Sequence, residues 1–239
     1  MATPRSTTPD VSRTLVSAPT GRDGRRDAEH TLTILQHRWN GTHPMDDWGL
    51  DPELVDLVSP MFAARWRIDV DGAEHLPADG PAMVVCNRRA GISEMFVCSR
   101  GLRRATGRFI RPVGAPDVAL IGPALRRFGV VQSSPDEVTG LLKGGELVAI
   151  PLERELTHRQ LAGAAPLDHL AAAVAVGVPI VPVAIVGREI GRRWRLFVGE
   201  PIPSPERTGP LAVAELADVA RRSVQDLLDR ALPPSLLLR

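Results

Sequence analysis

Histidine is the side chain that most often takes up and releases protons near neutral pH, so the histidines are the first candidates for a catalytic base. The sequence contains six: His30, His37, His43, His75, His158 and His169. None follows a strand-like hydrophobic run beside a carboxylate, the arrangement that would orient the ring for base catalysis. His158 is the best candidate, because Glu153 and Glu155 are close to it in sequence. For His75 a position in a turn or on the surface is favoured.

Arginine supplies nearly all of the positive charge, since Lys143 is the only lysine. Four arginines surround Trp194: Arg188, Arg192, Arg193 and Arg195. They fit contact with a phosphate or an anionic membrane, with tryptophan at the headgroup level. They also fit a solvated hairpin at a sheet edge whose Trp194 packs inward, and this second interpretation is favoured. A second cluster consists of Arg103, Arg104, Arg108 and Arg111.

The composition narrows the classes of function. The chain has 239 residues, 44% of them hydrophobic and 24% charged, with a net charge of +1. These values are usual for a globular protein and give no overall attraction to nucleic acid. Tyrosine is absent, which also argues against base stacking. The sequence contains no phosphate-binding loop, dinucleotide fingerprint or metal-ligand spacing, so we predict no cofactor and no metal.

Cysteine usage and the N-terminal sequence indicate the compartment. Cys86 and Cys98 lie in hydrophobic segments, and we expect both to be buried, inert thiols in a reducing environment. The N-terminus shows no apolar stretch of signal-peptide or membrane-spanning length. The sequence therefore predicts a cytoplasmic protein, with peripheral contact at the inner face of the membrane as a further expectation.

The pattern of residues predicts three segments. Residues 1–26 are rich in Thr, Ser, Pro, Gly and Arg and are expected to form a flexible extension. Residues 27–64 are expected to form two helices, and residues 65–239 an α/β domain. Strands are predicted at 66–70, 82–86, 109–113, 147–151, 180–185 and 195–198. Helices are predicted at 93–105, 116–128, 135–142, 166–176 and 211–232. This alternation predicts a layered, mixed sheet flanked by helices.

Four blocks of sequence, residues 71–77, 80–87, 177–187 and 198–202, together resemble the family of glycerol-3-phosphate and 1-acylglycerol-3-phosphate (lysophospholipid) acyltransferases. Residues 71–77 resemble the turn before the family's first motif, and residues 80–87 the strand that ends in its Asn-His pair. Residues 177–187 resemble the proline-flanked strand of the fourth motif, and residues 198–202 the strand that closes the domain. The resemblance covers slightly more than half of the chain. It implies the family's α/β fold and a relation to acyl transfer.

The same resemblance implies that the catalytic pair has been replaced. In the family a histidine removes the proton of the acceptor hydroxyl and an aspartate orients the ring; Arg88 and Ser93 stand at these two positions. An arginine, with a pKa above about 12, accepts no proton near neutral pH. Ser93 has no charge to stabilise an imidazolium. Glu94 follows one residue late, on a different face of the expected helix. We therefore predict no catalytic residue at these positions.

The resemblance also implies six substrate-binding positions: Asn87, Arg88, Arg111, Ser134, Glu153 and Arg154. Ser134, or its neighbour Ser133, stands where the family has the arginine that holds the acceptor's phosphate. Glu153 is the only retained residue of the third motif, and Arg154 replaces a glycine, which adds bulk. We expect an ion pair, or a near approach, between Arg88 and Glu153 or Glu94, since a buried unpaired charge is costly.

Three functions remain open on the sequence alone. The first is a catalytically inactive relative that binds an acyl chain, acyl-CoA, an acyl carrier protein or a partner enzyme. The second is an active acyltransferase with an altered acceptor and relocated catalytic groups. The third is a structural interaction module whose groove has closed. If an acyl chain binds, we expect an apolar tunnel at the ends of strands 82–86 and 109–113.

Overall fold

Within residues 23–88, 93–115, 121–153 and 162–232, which the computed structural model describes, seven strands form one sheet. The strands are β1 (Arg67–Asp71), β2 (Ala82–Cys86), β3 (Ile110–Ala115), β4 (Val131–Gln132), β5 (Leu147–Pro151), β6 (Ile180–Gly187) and β7 (Arg193–Val198). Their order across the sheet is β1-β7-β6-β2-β5-β3-β4. Neighbouring strands are parallel except for β6 and β7, which are antiparallel. The predicted mixed sheet is therefore confirmed.

Helices lie along the chain between and around these strands. They are α1 (Asp23–Trp39), α2 (Pro52–Arg65), α3 (Ser93–Thr106), α4 (Ile121–Arg126), α5 (Pro135–Lys143), α6 (Leu167–Val176) and α7 (Pro210–Ala231). Local signals explain several ends. The Asp51 side chain caps α2 by accepting from the Leu54 N–H at 2.8 Å. Gly177, with φ of +78°, ends α6 in the left-handed conformation that glycine adopts without strain.

The central strands are hydrophobic on both faces because helices cover both sides of the sheet. In β2, Ala82 and Val84 pack in the core cluster that contains Val97 and Leu102 of α3. Met83 of the same strand packs in the opposite cluster, which α5, α6 and α7 complete. Alternation of side chains along a strand accounts for this division. The fold is thus a three-layer arrangement with β2, β5 and β6 at its centre.

The chain divides into compact units of residues 1–43 and 44–239, and α2 falls in the second unit, with the sheet. The three segments expected from the sequence stay a prediction. Helix α1 begins at Asp23, inside the segment expected to be flexible. Residues 1–22 of that segment lie outside the described residues.

The sequence suggested that the arginine-rich hairpin lies at an edge of the sheet. Strand β7 of this hairpin is instead an inner strand, because β1 pairs with its outer side. Trp194 does pack inward, as predicted, and is 1% exposed. None of the helices in the described ranges is both long and apolar enough to cross a membrane.

Candidate functional site

Several of the positions that the motif resemblance singled out lie at one edge of the sheet, whereas Arg111, the second residue of β3, lies toward the opposite edge. Strands β2, β5 and β6 are parallel, so their carboxyl ends lie side by side. Arg88 follows β2, Glu153 follows β5, and Arg188 and Glu189 follow β6. This is the edge at which α/β proteins of this kind bind ligands. The fold therefore assembles a candidate site from residues that are far apart in sequence.

Asn87 connects two of these strand ends and is fully buried. Its Nδ2 donates to the carbonyl oxygen of Ile185 at 3.0 Å, and its Oδ1 accepts from the Ile185 N–H at 2.6 Å. Both polar ends of the amide are thus used to hold β2 against β6. Asn87 thereby fixes the point at which Arg88 leaves the sheet, and its role in substrate binding stays a prediction.

The expected ion pair between Arg88 and Glu153 is absent from the described residues. Cys86 is paired with Pro151 in the sheet register, so Arg88 and Glu153 each follow two residues later on adjacent strands. Both side chains are nevertheless exposed. An exposed charge needs no ion-pair partner because water solvates it, so only the near approach of the two side chains stays a prediction. Arg88 also forms no ion pair with Glu94, which is 4% exposed.

A carboxylate contacts Ser93, the residue that the motif resemblance related to a catalytic aspartate. The Ser93 hydroxyl, at the first turn of α3, donates a hydrogen bond to Oε1 of Glu189 in the β6–β7 turn. Ser93 itself is 8% exposed. Glu189 was not predicted from the sequence, because the arginines around it are the dominant feature of that turn. Ser93 and Glu189 are 96 residues apart, and only the pairing of β2 with β6 brings them together.

The two cysteines lie behind this site and are both buried and free, as predicted. Cys86 Sγ is 3.6 Å from Sδ of Met95 on α3. A hydrogen bond with the Cys98 thiol, together with burial, raises the pKa of Cys86 well above its usual range. A protonated thiol is a poor nucleophile, so Cys86 serves packing rather than catalysis.

Arg111, predicted to bind substrate, is 2% exposed and lies in an ion-pair cluster. Its Nη2 donates to Oε1 of Glu146 at 3.1 Å and also to the Asp46 carboxylate. Burial would lower its pKa, but these two carboxylates outweigh that effect and raise it. The cluster ties the loop before α2 to β3. This geometry favours a structural role for Arg111 over contact with a substrate phosphate.

Asp46 provides a test of that cluster. Burial opposes its charge, but hydrogen bonds from Arg111 and from the N–H groups of Leu50 and Trp48 lower its pKa overall. A lowered folded-state pKa stabilises the protein above the unfolded value of about 4, and the benefit is lost as the pH falls through the folded value. We expect Asp46→Asn to reduce the free energy of unfolding by about 1–3 kcal/mol at pH 7.

The same substitution should matter less in acid, because the wild-type carboxyl is then protonated as well. Urea unfolding at several pH values measures this, with the exposed Glu206→Gln as the matched control. Equal stability of Asp46→Asn and wild type at pH 7, or a loss that persists unchanged below the folded pKa, would contradict the assignment.

A histidine that the sequence analysis passed over lies beside a serine at the same end of the sheet. His169 on α6 is 7% exposed, and its Nε2 is 3.3 Å from Oγ of Ser133, which follows β4. Burial lowers the pKa of His169, and the carboxylate of Asp168 offsets this only in part. The ring is therefore neutral near pH 7. Its Nδ1 is buried without a partner in the described part of the chain.

The neighbouring Ser134, expected at the phosphate position, precedes α5 as its N-cap residue. Its backbone carbonyl accepts from the Val138 N–H at 3.0 Å, although its side chain makes no capping bond. Arg154 and His158, the other residues singled out near the third motif, lie outside the described residues.

The apolar tunnel expected at the ends of β2 and β3 is not confirmed. A cavity of about 430 Å³ lies instead between α6 and the start of α7. Its apolar wall includes Leu167, Val174 and Val213. Near the end of β2, the side chains of Cys86 and Met95 are in contact in the space between the strand and α3.

Comparison with known proteins supports the fold class directly. The chain superposes on the crystal structure of the 1-acyl-sn-glycerophosphate acyltransferase PlsC of Thermotoga maritima with a TM-score of 0.51. The match covers 86% of this chain and 98% of that protein, at 19% sequence identity. The chain therefore has an acyltransferase-like fold, as the motif resemblance implied.

The similar proteins found by sequence carry no assigned activity. Uncharacterised proteins of Mycobacterium bovis and Mycobacterium tuberculosis are 26% identical to the chain, over 83% of it and 72% of their own length. An uncharacterised protein of Mycobacterium leprae is 23% identical, over 86% of the chain and 73% of its own length. No family model matches the sequence.

Proposed function

We propose that this chain binds an acyl thioester, such as acyl-CoA or the acyl group on a carrier protein, without transferring the acyl group. The observation that carries the proposal is the exposed guanidinium of Arg88 at the carboxyl end of β2. Where the motif resemblance implies a histidine base, the chain has a permanent cation. Such a group can hold an anion, but it cannot accept a proton from an attacking hydroxyl.

The surroundings of Arg88 support the same proposal. Its position is fixed by Asn87, and no carboxylate in the described residues neutralises it. The nearby Ser93 hydroxyl is engaged with Glu189. The phosphates of CoA and of the phosphopantetheine arm of a carrier protein are anions that arginine binds well. The acyltransferase-like fold makes an acyl thioester the natural ligand class for this edge.

Binding is tested by calorimetry with a long-chain acyl-CoA and, separately, with free CoA. We expect acyl-CoA to bind, and Arg88→Ala to weaken binding about ten-fold, as for the loss of one charge-assisted hydrogen bond. Arg104→Ala is the matched control, because Arg104 is also exposed but lies near the far end of α3. No binding of acyl-CoA, or equal affinity of the Arg88→Ala variant, would overturn the proposal and favour an interaction module.

A second candidate function rests on the pair formed by Ser133 and His169. In this candidate the Ser133 Oγ attacks the thioester carbonyl while His169 Nε2 takes the hydroxyl proton. The carbon–sulfur bond breaks, and the departing thiolate takes that proton to become the free thiol. An acceptor hydroxyl then attacks the acyl carbon, and its proton passes through His169 to the Ser133 oxygen as the acyl-serine ester bond breaks. The Ser133–His169 separation of 3.3 Å is slightly longer than a usual catalytic hydrogen bond. Such long separations are common in structures without substrate.

The second candidate predicts a covalent intermediate that the first does not. Intact-protein mass spectrometry after mixing with acyl-CoA would show one added acyl group on Ser133, absent in Ser133→Ala and reduced in His169→Gln. We expect the unmodified mass throughout, because no carboxylate in the described residues orients the Nδ1 of His169. Detection of acylated Ser133 would contradict the proposal of binding without transfer and support an active acyltransferase.

A further inference from the structure

The turn between β6 and β7 lies at the same edge of the sheet as Arg88. Strand β6 is parallel to β2, so it ends at that edge, and the antiparallel β7 begins there. Strand β1 is parallel to β7 and begins there as well, directly after α2. We define the hairpin patch as Arg65, Arg188, Ile190, Arg192 and Arg193, all of which are exposed.

The hairpin patch is held in place by bonds that leave its charges uncompensated. Arg65 donates to the carbonyl oxygens of Gly191 at 2.9 Å and Glu189 at 3.0 Å. Arg192 donates to the carbonyl oxygen of Ala64 at 2.6 Å. The acceptors are neutral backbone groups, so the guanidinium charges remain available to an external anion. The turn is thereby fastened to the end of α2.

The tip of the turn carries an apolar side chain among these cations. Ile190 is 93% exposed, and Met61, one turn before Arg65 on α2, is 65% exposed. Single exposed aliphatic side chains are common on protein surfaces, and what sets Ile190 and Met61 apart is that arginines flank them. Cations around a protruding apolar residue match the chemistry of a lipid interface, with phosphates outside and hydrocarbon beneath.

We propose that the hairpin patch docks this protein on an anionic lipid surface, with Ile190 inserted among the headgroups and the arginines on lipid phosphates. The four arginines of the patch outnumber the two carboxylates near it, Glu189 in the turn and Asp69 on β1, so the local charge stays positive. A net charge of only +1 means that attraction to such a surface is local to this edge.

A nucleic acid fits the same surface less well. The patch has no exposed aromatic side chain for base stacking, since Trp194 is buried beneath it. Ile190 would gain nothing from a phosphate backbone, whereas a lipid interface buries it. Docking would place the carboxyl edge of the sheet, with Arg88, against the membrane. This inference does not depend on whether the protein binds an acyl thioester.

Sedimentation with vesicles tests the proposal on the full chain without acyl-CoA. We expect binding to vesicles of equal parts phosphatidylglycerol and phosphatidylcholine, weakening with added salt, and none to phosphatidylcholine alone. Arg188→Glu/Arg193→Glu should reduce binding about 25-fold or more, at roughly five-fold for each arginine near the surface. Ile190→Asp should reduce it about ten-fold.

The matched control is Arg104→Glu/Arg222→Glu, which changes the net charge equally at exposed arginines outside the patch. It should bind like wild type. Equal losses in both double variants, unchanged binding by Ile190→Asp, or equal binding to both kinds of vesicle would overturn the proposal. Retention on an immobilised polyanion without vesicle binding would overturn it in favour of a soluble anionic partner.

Discussion

The double variant Arg88→His/Ser93→Asp, which restores the histidine and aspartate implied by the motif resemblance, is expected to transfer acyl groups no faster than the unmodified protein. The structure gives the reason. The Ser93 hydroxyl already contacts the Glu189 carboxylate, so an aspartate there would face a second negative charge. Two carboxylates in contact share a proton rather than both ionising. The new aspartate would then fail to orient the histidine.

A third substitution should change that result. Adding Glu189→Ser removes the competing carboxylate. A positioned base typically raises a reaction rate 10²–10⁴-fold, and we expect the triple variant to recover part of this, with a transfer rate about 10-fold above that of the unmodified protein. Adding Ser134→Arg should raise the rate further, because it supplies the cation that orients the acceptor's phosphate. Release of free thiol from acyl-CoA in the presence of lysophosphatidate measures each step.

The control for this series is Arg88→His/Ser93→Ala/Glu189→Ser, which has the histidine but no acid to orient it. It should stay at the background rate. Full activity in the double variant would show that Glu189 does not obstruct the restored pair. A triple variant that remains at background, with an intact fold, would count against this edge as a latent acyl-transfer site.

The largest expected loss of stability follows the removal of the indole of Trp194. Trp194 is 1% exposed and lies against Gly187 on the adjacent strand; a Cβ at Gly187 would be 2.2 Å from the ring atom Cε3. Trp194→Ala is expected to lower the free energy of unfolding by about 3–5 kcal/mol, through lost burial and a cavity. Urea unfolding followed by circular dichroism measures the change.

Trp194→Phe is the matched comparison for that variant. Phenylalanine keeps most of the buried ring and removes the indole N–H, which has no partner in the described residues. We expect it to cost much less than alanine. A loss below about 1 kcal/mol for Trp194→Ala would be too small for a fully buried tryptophan and would place the side chain outside the core.

The fold was largely predictable because its central strands are continuous hydrophobic runs. The bounds of β2 and β5 agree with the sequence prediction, since Gly-Pro precedes the first hydrophobic run and Gly-Gly the second. Strand β4 escaped prediction because it has only two residues, Val131 and Gln132. The number of residues in such a strand is too small for any periodicity to appear.

The candidate site was predictable only where residues follow a strand along the chain. Arg88 and Glu153 could be placed at one edge because both follow buried runs. The contacts of Glu189 with Ser93 and of His169 with Ser133 join distant segments, and no local pattern encodes them. The contact of Arg111 with Asp46 was likewise not predictable, because the two residues are 65 positions apart.

The central claim is that the acyltransferase-like scaffold persists while acyl transfer does not. A single-turnover experiment tests it most directly, with the unmodified protein in excess over labelled acyl-CoA and with glycerol-3-phosphate or lysophosphatidate as acceptor. The account predicts that the acyl-CoA is bound and recovered intact, with free thiol at the level of a protein-free sample. Acceptor-dependent release of thiol, with the label recovered in an acylated glycerol phosphate, would contradict it.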